Sequence, residues 1–147
     1  MKVSTKGRYA IRFLLDLALH DQSKPVSLNK IAKRQDISEK YLWQIVANLK
    51  TAGFVSTAKG KKGGFFLVKT PDRITLKDIL NALEGNCFLV DCVHNQNTCK
   101  RNATCAARSM WSEASKRIDA VLASFTLADL VAKAKSRDTH EALSYII

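Results

Sequence analysis

The stretch SLNKIAKRQDISEKYLWQIVANLKTAG, residues 27–53, decides how the chain folds. Ser27 stands where a helix N-cap would. Beyond it, Leu28, Ile31 and Ala32 fall on one side of the following turns, and Lys30, Lys33 and Arg34 on the other. Gln35, Asp36 and Ile37 break that pattern. Ser38 and Glu39 restart it, with Leu42, Ile45, Val46 and Leu49 as a second apolar stripe and Gly53 as its stop. Two short helices around so tight a turn predict a helix-turn-helix unit.

Residues 54–58 and 65–69 read as strands on either side of KGKKGG, residues 59–64, a tip with glycine for turning and lysine for charge. Upstream, Ser4 or Thr5 can cap a first helix reaching His20, whose apolar face holds Tyr9, Ile11, Phe13, Leu14, Leu17 and Ala18; residues 21–25 break it. Downstream, Thr75 caps a helix over 76–84 that Gly85 ends. A cysteine-bearing loop follows, then a long helix carrying Trp111, Ala114, Ile118, Val121, Leu122 and Phe125 at steps of three or four. Thr126 caps a last short helix over 127–134. The expected fold class is mainly α with a small β-wing: a winged helix-turn-helix domain plus a long dimerisation helix. Its parts are residues 1–74, a linking helix at 75–85, the cysteine-rich loop at 86–105, the dimerisation and short terminal helices at 106–136, and a tail at 137–147.

Lysine and arginine number 24 against 13 acidic residues, a formal net charge of +11 that calls for a polyanionic partner. Nucleic acid and an anionic membrane surface both qualify on charge alone. The early apolar run, residues 10–19, is interrupted by Arg12 and Asp16 and is too short to span a bilayer, and no charged-then-apolar leader precedes it. A cytoplasmic location with no membrane partner is therefore expected. In a reducing compartment, four cysteines between positions 87 and 105 point to metal ligands or redox thiols.

A helix in the major groove needs polar side chains outside its apolar stripe. On the helix that starts at Ser38, these are Ser38, Lys40, Tyr41, Gln44 and Asn48, where Gln44 suits an adenine edge, Lys40 a phosphate or guanine, and Tyr41 a phosphate. Lys59, Lys61 and Lys62 would bring the hairpin tip to the backbone or minor groove. Lys2, Lys6, Arg8 and Arg12 can extend the basic face, although Arg12 can also pair with Asp16 one turn on. The histidines, His20, His94 and His140, are scattered and form no catalytic constellation, so an enzyme is not expected. A thiol oxidoreductase is disfavoured by the lack of a Cys-x-x-Cys pair.

The opening STKGRYA at residues 4–10, ISEKYL at 37–42 and the wing at 59–66 with its Gly63-Gly64 pair together resemble the bacterial regulator family that includes IscR, NsrR and RirA, over roughly residues 1–135. The resemblance implies a winged-helix homodimer joined through the long helix, binding to double-stranded DNA at palindromic promoter sites, and in many members an iron–sulfur cluster. Such a protein would be a transcription regulator, here expected to be a repressor. Trp43 stands where IscR-type chains carry an acidic residue before the glutamine, so its preferred DNA site would differ.

Cys92, Cys99 and Cys105 are the expected cluster ligands, on a loop with almost nothing apolar and with Lys100, Arg101 and Arg108 to offset thiolate charge. Arg108 and Arg8 occupy the places where relatives supply a fourth ligand. Cys87 and His94 are the local candidates, with Asp91 or Glu84 behind them. A 2Fe-2S centre is favoured over 4Fe-4S. The alternative is a winged-helix DNA-binding protein with a structural zinc on Cys92, Cys99, Cys105 and either Cys87 or His94, or with no metal.

Overall fold

The computed structural model describes residues 3–20, 23–85 and 89–144, with residues 138–144 described by backbone alone. Helix α1 spans Thr5–Leu19, with Ser4 as its N-cap accepting from the Gly7 amide at 3.1 Å. Helices α2 (Leu28–Gln35) and α3 (Glu39–Thr51) follow, then strands β1 (Val55–Ala58) and β2 (Gly64–Leu67). Helix α4 runs Leu76–Glu84, a single helical turn α5 covers Asp91–His94, and α6 (Ala106–Ser124) and α7 (Leu127–Ser144) complete the order. No described helix is long and apolar enough to cross a membrane.

The turn between α2 and α3 forms because Asp36 enters the left-handed region at φ 51°, ψ 53°, which aspartate tolerates better than most side chains. Ile37 is then swung inward, its amide donating to the Ala32 carbonyl at 3.1 Å. Ser27 sits at the N-cap of α2 but its side chain makes no capping bond; Ser38 does cap α3, accepting from the Tyr41 amide. Gly53, at φ 76°, lies one residue past the α3 cap. One core joins Phe13 and Leu14 of α1, Ile31 of α2, Leu42, Ile45 and Leu49 of α3, Ile79 of α4 and Leu127 of α7, all fully buried. Each contributes about 1.5–3 kcal/mol through removal of apolar surface from water.

The wing is an antiparallel pair in which Val55 faces Leu67 and Ala58 faces Gly64. A third backbone joins its edge: Val26 donates to the Phe65 carbonyl at 2.9 Å and accepts from the Phe65 amide at 2.8 Å. The start of α2 is thereby sewn to the wing.

Asp16, which Arg12 could have paired with one turn away, has other partners. It is buried and accepts from Arg34 Nε (3.0 Å) and Nη2 (2.5 Å) and from Gln35 Nε2 (3.0 Å). Its hydrogen bonds raise the pKa of the Arg34 guanidinium further. Arg12 instead reaches the Gln35 side-chain oxygen at 3.1 Å and the Gln35 main-chain carbonyl, with its guanidinium over the Tyr9 ring.

Helix α4 opens with a capping box: the Thr75 hydroxyl accepts from the Asp78 amide and Asp78 Oδ2 accepts from the Thr75 amide. Thr75→Ala is expected to lower stability by about 1 kcal/mol in chemical denaturation, in keeping with other N-cap losses. Thr126 caps α7 in the same way, and its amide, donating to Asp129 at 2.8 Å, holds the Asp129 carboxyl below its ordinary pKa. The two caps lie side by side, because Leu76 donates to the Phe125 carbonyl at 2.9 Å and Leu127 to the Ile74 carbonyl at 2.8 Å. Helix α7 continues to Ser144, well past the end expected near Ala134; its last turns carry few apolar residues for a periodicity to register. On α6 only Ser115 is buried, and Met110, Trp111 and Val121 stand in solvent with Phe125 beyond them. Lys77 of α4 meets Asp119 of α6 at 2.5 Å.

Candidate nucleic-acid interface and cysteine loop

The apolar stripe of α3 packs inward and leaves Lys40, Trp43, Gln44 and Ala47 exposed, with Tyr41 and Asn48 half-covered at its margins. All five residues expected to read DNA are thus surface groups on one helix, Ser38 at its N-terminal end. The Ser38 hydroxyl is engaged as the cap, which leaves its proton free to donate outward. Tyr41 is steadied by Tyr9 of α1, the rings meeting edge-on with centroids 5.8 Å apart.

Trp43 lies off the apolar stripe of α3. In the fold it is 56% exposed, and its ring meets Phe65 of β2 edge-on at 5.7 Å. It therefore joins α3 to the wing strand. Periodicity could have flagged it, since a tryptophan off the apolar stripe of an amphipathic helix needs either a partner or a ligand.

Lys59, Lys61 and Lys62 are all exposed at the tip between β1 and β2, which is closed by the Gly63 amide donating to the Gly60 carbonyl at 2.9 Å. Of the residues expected to extend the basic face, Arg8 is exposed and donates to the Thr5 hydroxyl at 3.0 Å; Lys6 is half-buried; Lys2 lies outside the described residues.

Cys92, Cys99 and Cys105 are free thiols, the first half-buried and the other two exposed. Cys92 belongs to α5, Cys99 follows a short 3-10 turn at Gln96–Thr98, and Cys105 is the N-cap residue of α6. His94 ends α5, and Cys87 lies outside the described residues. Among the described residues no three of His, Cys, Asp or Glu are gathered as a metal-binding group, so the three sulfurs are not drawn together. Glu84 is turned elsewhere: its Oε1 accepts from the Ser4 amide (3.0 Å) and hydroxyl (2.7 Å) at the start of α1.

The loop's main-chain bonds are local: Asn95 to Asp91, Thr98 to Asn95, Asn102 to Cys99, Thr104 to Arg101. Among the described residues, the loop is tied to α6 by Leu89 donating to the Ser115 hydroxyl at 3.4 Å and by Arg108 Nε donating to the Cys92 carbonyl at 3.3 Å. Arg108 thereby fastens α6 to α5. The donor chemistry suits a soft-metal centre: three thiols with the cationic neighbours Lys100, Arg101 and Arg108. Asn102 Oδ1 is buried in the loop without a hydrogen-bond partner, a polar atom with unused accepting capacity.

Residues 3–133 match the family described as "Rrf2: Iron-dependent Transcriptional regulator". The Protein rrf2 of Nitratidesulfovibrio vulgaris is 40% identical over 131 residues, spanning 89% of this chain and 87% of that protein. The HTH-type transcriptional regulator IscR of Aliivibrio salmonicida is 36% identical over 131 residues, spanning 89% and 77%. Among solved structures, CymR, the global cysteine regulator of B. subtilis, superposes with a TM-score of 0.77 at 36% identity, covering 90% of this chain and 98% of that one. T. potens IscR gives 0.74 at 39% identity, covering 91% and 88%.

Proposed function

The chain belongs to the Rrf2 family of transcriptional regulators, and from that premise we propose that it is a cytoplasmic, homodimeric winged-helix regulator whose Cys92, Cys99 and Cys105 hold an iron–sulfur cluster that sets its affinity for promoter DNA. Its relatives are transcription regulators rather than enzymes. The observation that carries the sensory role is the loop's double character. Cys92 and Cys99 sit at locally bonded turns and Cys105 at the start of α6, while the Arg108–Cys92 bond links those turns to the first turn of α6.

DNA recognition is assigned to Ser38, Lys40, Tyr41, Gln44 and Asn48 in the major groove and to Lys59, Lys61 and Lys62 on the backbone or in the minor groove. The exposed apolar residues of α6 are the dimer contact, which sets two recognition helices on a palindromic site. When bound, a cluster of the favoured 2Fe-2S type, completed by Cys87 or His94, supplies a redox- and iron-responsive centre. Cys92, Cys99 and Cys105 would hold the cluster, and the Arg108–Cys92 bond would connect its site to the start of α6. Lys100 and Arg101 balance thiolate charge. A change at α6 reaches α4 through Lys77 and Asp119.

Anaerobic purification is expected to yield a brown protein with visible absorption, and Cys92→Ala to lose most of the iron and sulfide while retaining its helical circular dichroism. Colourless protein with stoichiometric zinc would overturn the iron–sulfur reading, and full cluster loading in Cys92→Ala would overturn the ligand assignment. Equal promoter affinity with and without the cluster would remove the sensory role, since a switch needs different affinities in its two states.

A further inference from the structure

Beyond the recognition helix and the wing, a shallow cavity of about 170 Å³ is lined by His20, Lys24, Pro25, Val26, Lys30 and Arg34. Four of these six side chains are basic. The Arg34 guanidinium is held in place by Asp16, which also offsets one positive charge, and His20 Nδ1 lies 2.6 Å from the Asp16 carbonyl. Lys24 and Lys30 stand exposed on either side of the opening of α2.

The cavity's position in the fold is fixed by contacts already described. Its wall residue Val26 exchanges two main-chain hydrogen bonds with Phe65, and the Phe65 ring meets Trp43 on the outward face of α3. The basic cavity and the outward face of α3 are thus both joined to Phe65 of the wing strand, the cavity through Val26 and the helix through Trp43. Major-groove readers are flanked by sugar-phosphate backbone, which basic side chains grip without regard to sequence.

We propose that the cavity formed by His20, Lys24, Lys30 and Arg34 seats a backbone phosphate of the DNA duplex beside the groove read by α3. This rests on the DNA-reading assignment above and adds a contact outside both the helix and the wing. Its ligand is a phosphodiester, recognised by charge, so it adds affinity and orientation but no base preference.

The test uses the full chain with two duplexes, one selected by the protein from a random-sequence library and one of unrelated sequence. Removing two phosphate-gripping lysines, as in Lys24→Ala with Lys30→Ala, is expected to reduce the slope of log affinity against log salt by about 2, or about 1 per lysine. Affinity should fall by the same factor on both duplexes, and the Lys24→Arg, Lys30→Arg pair should restore the slope. An unchanged slope in a folded double-alanine variant overturns the proposal. So does titration of inorganic phosphate that shifts the NMR signals of Lys24 and Lys30 while leaving DNA binding untouched, which would make the cavity a small-anion site. The DNA-reading assignment fails separately, if neither duplex binds the wild-type protein or if Lys61→Ala with Lys62→Ala leaves the slope unchanged.

Discussion

Gly64→Ala is expected to destabilise the protein by about 2–4 kcal/mol, because two independent penalties fall on one residue. The first is conformational: Gly64 has φ +156°, a backbone angle that side-chain-bearing residues rarely adopt. The second is steric. A Cβ at this position would lie on the carbonyl carbon and oxygen of Val26 and 2.8 Å from the Ser27 nitrogen, all main-chain atoms that cannot rotate away. Relief requires the start of α2 to part from β2, which breaks the paired hydrogen bonds between Val26 and Phe65. Chemical denaturation would register the loss, and amide exchange at Val26 and Phe65 would accelerate more than at the α1 core. A variant that lost under about 0.5 kcal/mol, within the range of an ordinary surface change, would show that this junction does not hold the wing. DNA affinity should fall as well, since Phe65 steadies Trp43 on the reading face.

Asp16→Ala is the second large effect, expected at about 2–3 kcal/mol. The carboxylate is 2% exposed and takes three hydrogen bonds from Arg34 and Gln35. Without it, the Gln35 amide and one edge of the Arg34 guanidinium lose their acceptor. Arg34 is 34% exposed, so water recovers part of that loss and the expected cost falls below that of a fully buried pair. A double-mutant cycle isolates the coupling: once Asp16 is alanine, Arg34→Ala should add little further loss. Full additivity would mean that the two residues act separately. Because Asp16 fastens α1 to the end of α2, the variant should also loosen the helix-turn-helix and weaken specific DNA binding more than non-specific binding.

The parts of the fold legible in the sequence were those with local causes. Ser4, Ser38, Thr75 and Thr126 are caps whose partners lie three residues away, and the α1, α3 and α6 stripes declare themselves by spacing. What escaped is what the tertiary fold decides. Arg12 and Asp16 are one turn apart and look like a pair, yet packing against α2 offers both of them partners some twenty residues away. Nothing in the sequence near Val26 marks it as a strand partner of Phe65, because one pair of bonds leaves no alternating pattern. The end of α7 was missed for the opposite reason: helix continues there without an apolar stripe or a breaker to mark its end. For the sites, the basic tip and polar outer face of α3 were readable from charge and spacing, whereas the Trp43–Phe65 contact and the engagement of Glu84 by Ser4 needed coordinates. The three cysteines were readable as soft ligands by type, but sequence spacing does not convey that Cys92 and Cys99 sit at two separate short turns and Cys105 at the start of α6.

The paired caps at Thr75 and Thr126 have a consequence for how this architecture can vary. By joining Ile74 and Leu76 to Leu127 and Phe125, they close the intervening chain into a ring whose ends are anchored in the core. The entropy of closing such a ring grows only with the logarithm of its length, roughly 0.6 kcal/mol for each doubling. Residues added or deleted between Asn95 and Thr104 therefore alter the free energy of folding by a small fraction of that, and leave the ring's anchor points where they are. The cysteine-bearing segment is in this sense a cassette: its length can vary at little cost in folding free energy.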